Sequence, residues 1–376
     1  MSLKDQLFQN LKNIPGWKTN RKLIAIAVDD YGNVRVDSKK ALEQIEKKNP
    51  VKEQRFDRFD TLETREDLEV LYEVLGSVKD MHGKPAVFTP YTLSYNIDFE
   101  RMQEEGYEAY RYELLPVTFK KLSSFQPSAF EGAWELWQEG IDKGLMRPEF
   151  HGREHFNLKV FEEKLAKKDP ALMLSLENRS LANIGPSGYP SIGWTAAFSF
   201  WDPVEDTKRF PEIMQEGLEA FEKVYGYKAK VFTPPAQQFP EHLEMELRHW
   251  GLKALDKPFY QDKHLGYGKY KKQYTSSGYN KKTELVEIVR NVVFEPTNGH
   301  LGNVGKALNQ IEAAFRWNRP AIISSHRVNY CGHIDPANRE TGITALKNLL
   351  KTIIHRWPEV EFMGAHELGE LIVSNP

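Results

Sequence analysis

The sequence predicts an α/β fold, a (β/α) barrel of seven or eight parallel strands with long loop insertions. Two observations carry that expectation. Short apolar or β-branched runs alternate with amphipathic helical patterns along most of the 376 residues. Polar side chains able to do chemistry recur where those runs end. Alternation of this kind builds a mostly parallel sheet with crossover helices. Seven or eight such units suit a barrel better than a small open sheet, although a doubly wound sheet fits the same pattern.

In chain order the strand-like runs are "KLIAIAV" (22–28), "PAVFTP" (85–90), "MRPEFH" (146–151), "KAKVFTPP" (228–235), "LKALDKP" (252–258), "NVVFEP" (291–296), "AIISSH" (321–326) and "VEFMGAHE" (360–367). Between them, 64–81, 157–168, 210–225, 240–250, 303–317 and 340–356 read as amphipathic helices. Residues 91–145 and 177–209 are rich in Tyr, Trp, Phe and turn residues and read as insertions whose loops could build a cleft. No fixed-period repeat and no long Gly/Ser linker divides the chain, so one domain over 1–376 is expected.

Composition narrows the function. A net charge of −2 with dispersed Lys and Arg offers no basic field for a phosphate backbone, which argues against nucleic acid as a partner. No stretch approaches the length of a membrane span, and the opening "MSLKDQLFQNLKNIPGWKTNRK" has no signal-type apolar core, so a cytoplasmic protein is expected. Cys331 is the only cysteine, which rules out internal disulfides and cysteine-rich zinc fingers. Oligomeric state is not legible.

Three short stretches could carry chemistry. "LIAIAVDDYGN" (23–33) runs a buried strand into two adjacent carboxylates, Asp29 and Asp30. Consecutive strand residues face opposite ways, so the pair can take separate tasks, or one can cap the turn while water solvates the other. "FHGREHFN" places His151 and His155 four apart, a spacing at which two imidazoles share a helical face and can approach one ion. His326 closes the apolar run "AIISSH", at the rim where barrels assemble active sites. Glu295 and Asn291 in "RNVVFEPTNGH" stand at another strand end where a substrate hydroxyl could bind. Trp194 and Trp201 in "SIGWTAAFSFWDP" could stack on a sugar or simply pack in the core.

In this order the three stretches, with "FTPPAQQFPEH" (232–242) as a fourth before the last, resemble the motifs of the polysaccharide deacetylases of carbohydrate esterase family four, a superfamily of glycoside hydrolase/deacetylase-type barrels. "AVDDYG" is similar to the family's "TFDDG", "HGREH" to its His-x-x-Ser/Thr-His, "FTPPAQQFPEH" to its "RPPYG", and "ISSH" to its last "LxH". The resemblance runs from about residue 22 to 370. It implies a deformed (β/α) barrel and a metal-dependent hydrolase that removes an N- or O-linked acetyl group from a carbohydrate or glycan precursor. Asp29 would be the catalytic base, and Asp30, His151 and His155 would hold a divalent metal, zinc foremost. His326 would be the catalytic acid, and Asp256 would tune it.

One departure stands out. Where the family carries an Arg that holds the base, this chain has Thr233, and a hydroxyl supplies neither the charge nor the paired donors of a guanidinium. Arg153, Arg290 or Arg327 could reach the site from elsewhere. Without such a substitute the chain would be a catalytically impaired sugar-binding descendant. A non-haem iron oxygenase is a third reading, because two His and a carboxylate also hold Fe(II), but the second Asp and the barrel pattern speak against it.

Overall fold

The computed structural model describes residues 3–50, 55–299 and 304–375. Ten strands form one sheet: β1 (Lys22–Tyr31), β2 (Phe88–Thr92), β3 (Glu149–Phe150), β4 (Val231–Phe232), β5 (Ala254–Lys257), β6 (Gly278–Asn280), β7 (Leu285–Val289), β8 (Val292–Val293), β9 (Ala321–His326) and β10 (Val360–Phe362). Neighbours run β6-β7-β5-β4-β3-β2-β1-β9-β8, with β10 also paired to β1. Every pairing is parallel except that of β6 with β7.

The two ends of this order return to each other. β7 lies one strand from one end and β8 is the other end, yet only Arg290 and Asn291 separate them in the chain. No ladder joins β7 to β8 among the described residues. The sheet is therefore curled into a deformed barrel with a seam at residues 290 and 291, which excludes the flat doubly wound alternative.

The interior follows the two-residue strand period. Leu23, Ala25 and Ala27 of β1 join Tyr91, Val231, Ala254, Val286, Ile288 and Ile322 in one buried cluster. Ile24, Ile26 and Val28 join the larger cluster shared with the outer helices. The last helix, Ala365–Ser374, adds Ala365, Leu368 and Ile372 to the interior group. With both faces of β1 buried, a one-residue slip would exchange its two sets of side chains, so its register is strongly specified.

All eight expected runs contain a strand, but β6 and β7 were not anticipated. "LVEIV" is a short run just beyond the Tyr- and Lys-rich residues 269–282, and ahead of it Tyr260–Gly266 pairs with Lys269–Tyr274 in an antiparallel hairpin. The expected helix at 240–250 breaks into a 3-10 turn, Glu241–Leu243, and a single turn, Glu246–His249. Residues 91–145 are not elaborated loops. They contain the hairpin Tyr95–Ile97 with Tyr112–Leu114 and the helices Phe99–Glu104, Leu115–Phe125, Pro127–Phe130 and Ala133–Asp142. Several of their aromatics are core, with Phe119, Phe130 and Trp137 buried, whereas Tyr112 and Phe125 are exposed.

The other expected helices form, among them Arg65–Gly76, Leu158–Ala166, Phe210–Tyr225 and Pro336–Arg356, while Leu3–Leu11, Lys39–Lys48, Arg55–Phe59, Pro170–Glu177 and Ala365–Ser374 were not anticipated. Arg65–Gly76 begins at a capping box in which the Thr64 hydroxyl accepts from Asp67 N and the Asp67 carboxylate accepts from Thr64 N. Pro336–Arg356 begins at an Asp335 cap followed by Pro. Residue 303, where one helix was expected to start, lies outside the described residues, and that helix is Val304–Arg316. No described helix is long and apolar enough to cross a membrane.

Candidate metal centre and active site

Because the strands run parallel, their C-terminal ends share one rim, and the polar residues gather there. Asp29 continues the interior-facing parity of β1 and pairs in register with His326 at the end of β9. Asp30 breaks the parity. Its φ is +75°, a left-handed conformation that Asp tolerates better than most residues, and the ladder to β2 is irregular between Val28 and Tyr31. The bend brings Asp29 and Asp30 to one cavity rather than to opposite faces of the strand. Gly32 completes the turn at φ +74°, where a Cβ would meet the Leu93 carbonyl oxygen at 2.6 Å.

Asp30 meets both histidines of "HGREH". Its Oδ1 lies 2.9 Å from His155 Nε2 and 3.5 Å from His151 Nε2. The three candidate ligand atoms fall within 4.8 Å of one another. His151 follows β3 directly, and its Nδ1 donates to the Thr233 carbonyl at 2.6 Å. Since a carbonyl only accepts, the proton is on Nδ1 and the Nε2 lone pair is free. That Nε2 is buried and has no hydrogen-bond partner among the described residues. A buried orphan nitrogen beside a carboxylate and a second imidazole is the donor set expected of a divalent ion, so the residues fit a metal. Burial works to raise the Asp30 pKa, but His155 and His151 outweigh it and hold the carboxylate well below its ordinary range. Burial lowers the His155 pKa against the pull of Asp30, favouring the neutral, ligating form.

Asp29 is clamped. The Arg290 guanidinium donates from Nη1 to Asp29 Oδ2 and from Nη2 to Asp29 Oδ1, both at 2.7 Å, and from Nε to Asp256 Oδ2 at 2.7 Å. Its Nη2 also donates to Thr233 Oγ1 at 3.1 Å. The arginine thus comes from the barrel seam, and the threonine that stands in the motif position accepts from it. Burial would raise the Asp29 pKa, yet the Arg290 charge and hydrogen bonds leave it below the ordinary value. Arg153 is taken by Glu154 and Glu216, and Arg327 by Asp60 and Glu63, so neither is the substitute.

His326 stands across the cavity, with Nε2 3.9 Å from Asp29 Oδ2. Its Nδ1 is 2.6 Å from Glu295 Oε1. Glu295 in turn accepts from Arg55 and, at 2.8 Å, from Asn329. Burial opposes the imidazolium, but the Glu295 hydrogen bond and charge, with Asp30 and Asp29 beyond, raise the His326 pKa to about 9. The carboxylate on His326 is therefore Glu295. Asp256, expected in that role, instead braces Arg290, and burial pushes its own pKa up to about 6.

These groups border a cavity of about 440 Å³ lined by Asp29, Asp30, His151, His155 and His326, with Arg35, Phe56 and Ala236 among its walls. Ala236 has a positive φ of 52°, and its N–H has no hydrogen-bond partner among the described residues.

No protein-family model and no curated protein matches the chain. Solved structures do. A 4-alpha-glucanotransferase from Thermococcus litoralis is 10% identical with a TM-score of 0.45, over 95% of this chain but only 41% of its own length. A protein from Mycobacterium smegmatis named as a polysaccharide deacetylase is 12% identical with a TM-score of 0.43, covering 96% of this chain and 93% of that one. The peptidoglycan deacetylase PdaC from Bacillus subtilis is 12% identical with a TM-score of 0.33, over 94% and 93%. Polysaccharide and peptidoglycan deacetylases are thus among the structures to which the chain is similar.

Three expected substrate residues lie elsewhere. Asn291, the other seam residue, donates to Asn13 Oδ1 and the Pro320 carbonyl and accepts from Ile322 N, so it is a buried brace. Trp194 stacks on Phe156 and Phe161. Trp201 packs near Tyr189 and edge-on to Tyr267. None of the three borders the cavity. Glu295, expected to meet substrate, is buried behind His326.

Proposed function

We propose that the chain is a metal-dependent hydrolase that removes an acetyl group from a carbohydrate or glycan precursor. The observation that carries this reading is the pairing of an Asp30, His151, His155 donor set with a second carboxylate, Asp29, clamped beside it. A divalent ion held by those three side chains, zinc foremost, would supply Lewis acidity and lower the pKa of a bound water.

The remaining work falls to the chain's own groups. Asp29 is the base: it is ionised, and two hydrogen bonds to Arg290 leave lone pairs free on both oxygens to accept a proton from the attacking water. The free Ala236 N–H is a donor for the developing oxyanion. His326, protonated and with Nδ1 committed to Glu295, presents Nε2 to the leaving nitrogen or oxygen. Water adds to the acyl carbon, the bond to the leaving atom breaks, and that atom takes the His326 proton. The Arg290 clamp supports the catalytic reading over the non-catalytic one, since it brings to Asp29 a charge that Thr233 lacks.

The test combines metal analysis with acetate release from N-acetylglucosamine oligomers and O-acetylated sugars. One ion per chain is expected, with activity lost on chelation and restored by zinc. His155→Ala loses the ion. Asp29→Asn keeps it while the rate falls by roughly 10²- to 10⁴-fold, the usual contribution of a general base. An Asp29→Asn protein with undiminished acetate release would overturn the assignment.

A further inference from the structure

Arg35 is a charged cavity-lining residue to which the proposed chemistry assigns no role. It lies just past the β1 turn, and its side chain is only 13% exposed. Its Nε and Nη2 both donate to Asp57 Oδ1, at 2.8 and 2.6 Å. The other Asp57 oxygen accepts from Asn183 N. The guanidinium is thus fixed in orientation from behind. Its Nη1 has no hydrogen-bond partner among the described residues, and it is not one of the fully enclosed unpaired atoms, so solvent reaches it. Arg35 packs 5.7 Å from the Phe56 ring, and that ring meets His326 edge-on at 5.3 Å.

A charged donor held in place by one carboxylate, with a free N–H pair on a cavity wall, is preorganised for an anion. Asp60 and Asp30 act on Arg35 through their charge but accept no hydrogen bond from it: Asp60 Oδ1 accepts from Arg327 and Asp30 faces the two imidazoles, while Asp29 is held by Arg290 and Glu295 is shared among His326, Arg55 and Asn329. A neutral hydroxyl would also accept from Nη1, but only an anionic oxygen draws on the full charge-assisted bond. We infer that the cavity takes sugars bearing an anionic oxygen group, a carboxylate or a phosphate, which Arg35 holds on the Phe56 side of the acetyl group. This rests on the proposed sugar-deacetylating role and adds a substrate class to it.

The test is calorimetric titration of the zinc-loaded Asp29→Asn protein, which holds turnover off, with three monosaccharides. N-acetylglucosamine is the neutral probe, N-acetylmuramic acid carries a carboxylate, and N-acetylglucosamine 6-phosphate carries a phosphate. At least one anionic sugar is expected to bind tenfold or more tighter than the neutral one at low salt, and the arm that does so identifies the group. Adding Arg35→Met should bring the anionic-to-neutral ratio to about one, and Arg35→Lys should keep part of the preference. A purely structural Arg35 would weaken all three sugars alike, leaving the ratio unmoved. That result overturns the inference, as do equal affinities or no binding in the parent protein. Should Arg35→Met not fold, loss of the parent's preference as salt rises, retained in part by Arg35→Lys, supports it, and a salt-independent ratio overturns it. Acetate release from neutral oligomers by the wild-type protein is scored separately, so the deacetylase reading and the anion preference can fail independently.

Discussion

His326 stands under two opposed influences. Burial favours the neutral ring, while the hydrogen bond and charge of Glu295 favour the imidazolium and prevail, raising the pKa to about 9. An acid that must be protonated to work stays competent up to that pH. Replacing Glu295 by Gln removes the main raising influence and leaves burial in place, so the folded pKa moves toward or below the ordinary histidine value of about 6.5. The expected outcome for Glu295→Gln is an alkaline limb of the kcat–pH profile displaced downward by more than one unit. An unmoved limb would mean that His326 is not the acid, or that Glu295 does not tune it. At this scale the cavity residues legible in the sequence were those with a local pattern: Asp29 beside Asp30, His151 four before His155, and His326 at a strand end. Glu295 was visible only as a polar strand end, because its partner lies 31 residues away in sequence and nothing local says that the two strands are neighbours.

At the scale of elements the unusual feature is the seam. A residue that follows β7 and precedes β8 belongs to both ends of the curled sheet, so its side chain can enter the rim without spanning a strand. That is how Arg290 reaches Asp29 and Asp256 while Thr233, one residue past β4, merely accepts from it. The sequence named Arg290 as one of three arginines within reach but could not choose, because β7 was not anticipated and without it residue 290 has no defined place. The other strands were legible because both faces of the parallel sheet are buried, which writes each as an apolar run. Arg290→Thr leaves two buried carboxylates unpaired, a loss of about 3–5 kcal/mol for a broken buried pair, and kcat should fall by roughly 10²-fold or more as the base loses its orientation. Adding Thr233→Arg returns the guanidinium to the motif position of the resembling family. The double substitution is expected to regain at least tenfold in kcat, measured by acetate release at constant metal content. No gain over Arg290→Thr would show that the seam position, and not the charge alone, is required.

For the molecule as a whole, the proposed ligand set couples parts of the chain that meet only after folding. Asp30 lies near the end of β1, third from one end of the sheet order, and His151 and His155 follow β3, two strands away. An ion held by all three binds the folded chain and has no comparable site in the unfolded one, so its binding free energy adds to stability. At a free zinc concentration 100 times Kd the gain is about 2.7 kcal/mol, or about 3 °C in Tm for a chain of this size. The gain has a definite pH sign. The ligands bind the ion only when deprotonated, so acidification through the imidazole range, below about pH 6, makes protons compete with zinc and erodes the shift. The expected result is a Tm difference between zinc-loaded and chelator-treated protein that is full near pH 7.5 and shrinks toward pH 5. His155→Ala should abolish it at both pH values, and Trp201→Ala, outside the cavity, should leave it intact. A zinc-dependent shift that persists in His155→Ala would place the ion elsewhere on the molecule. Asp29 would then be a buried, clamped carboxylate with no water to deprotonate.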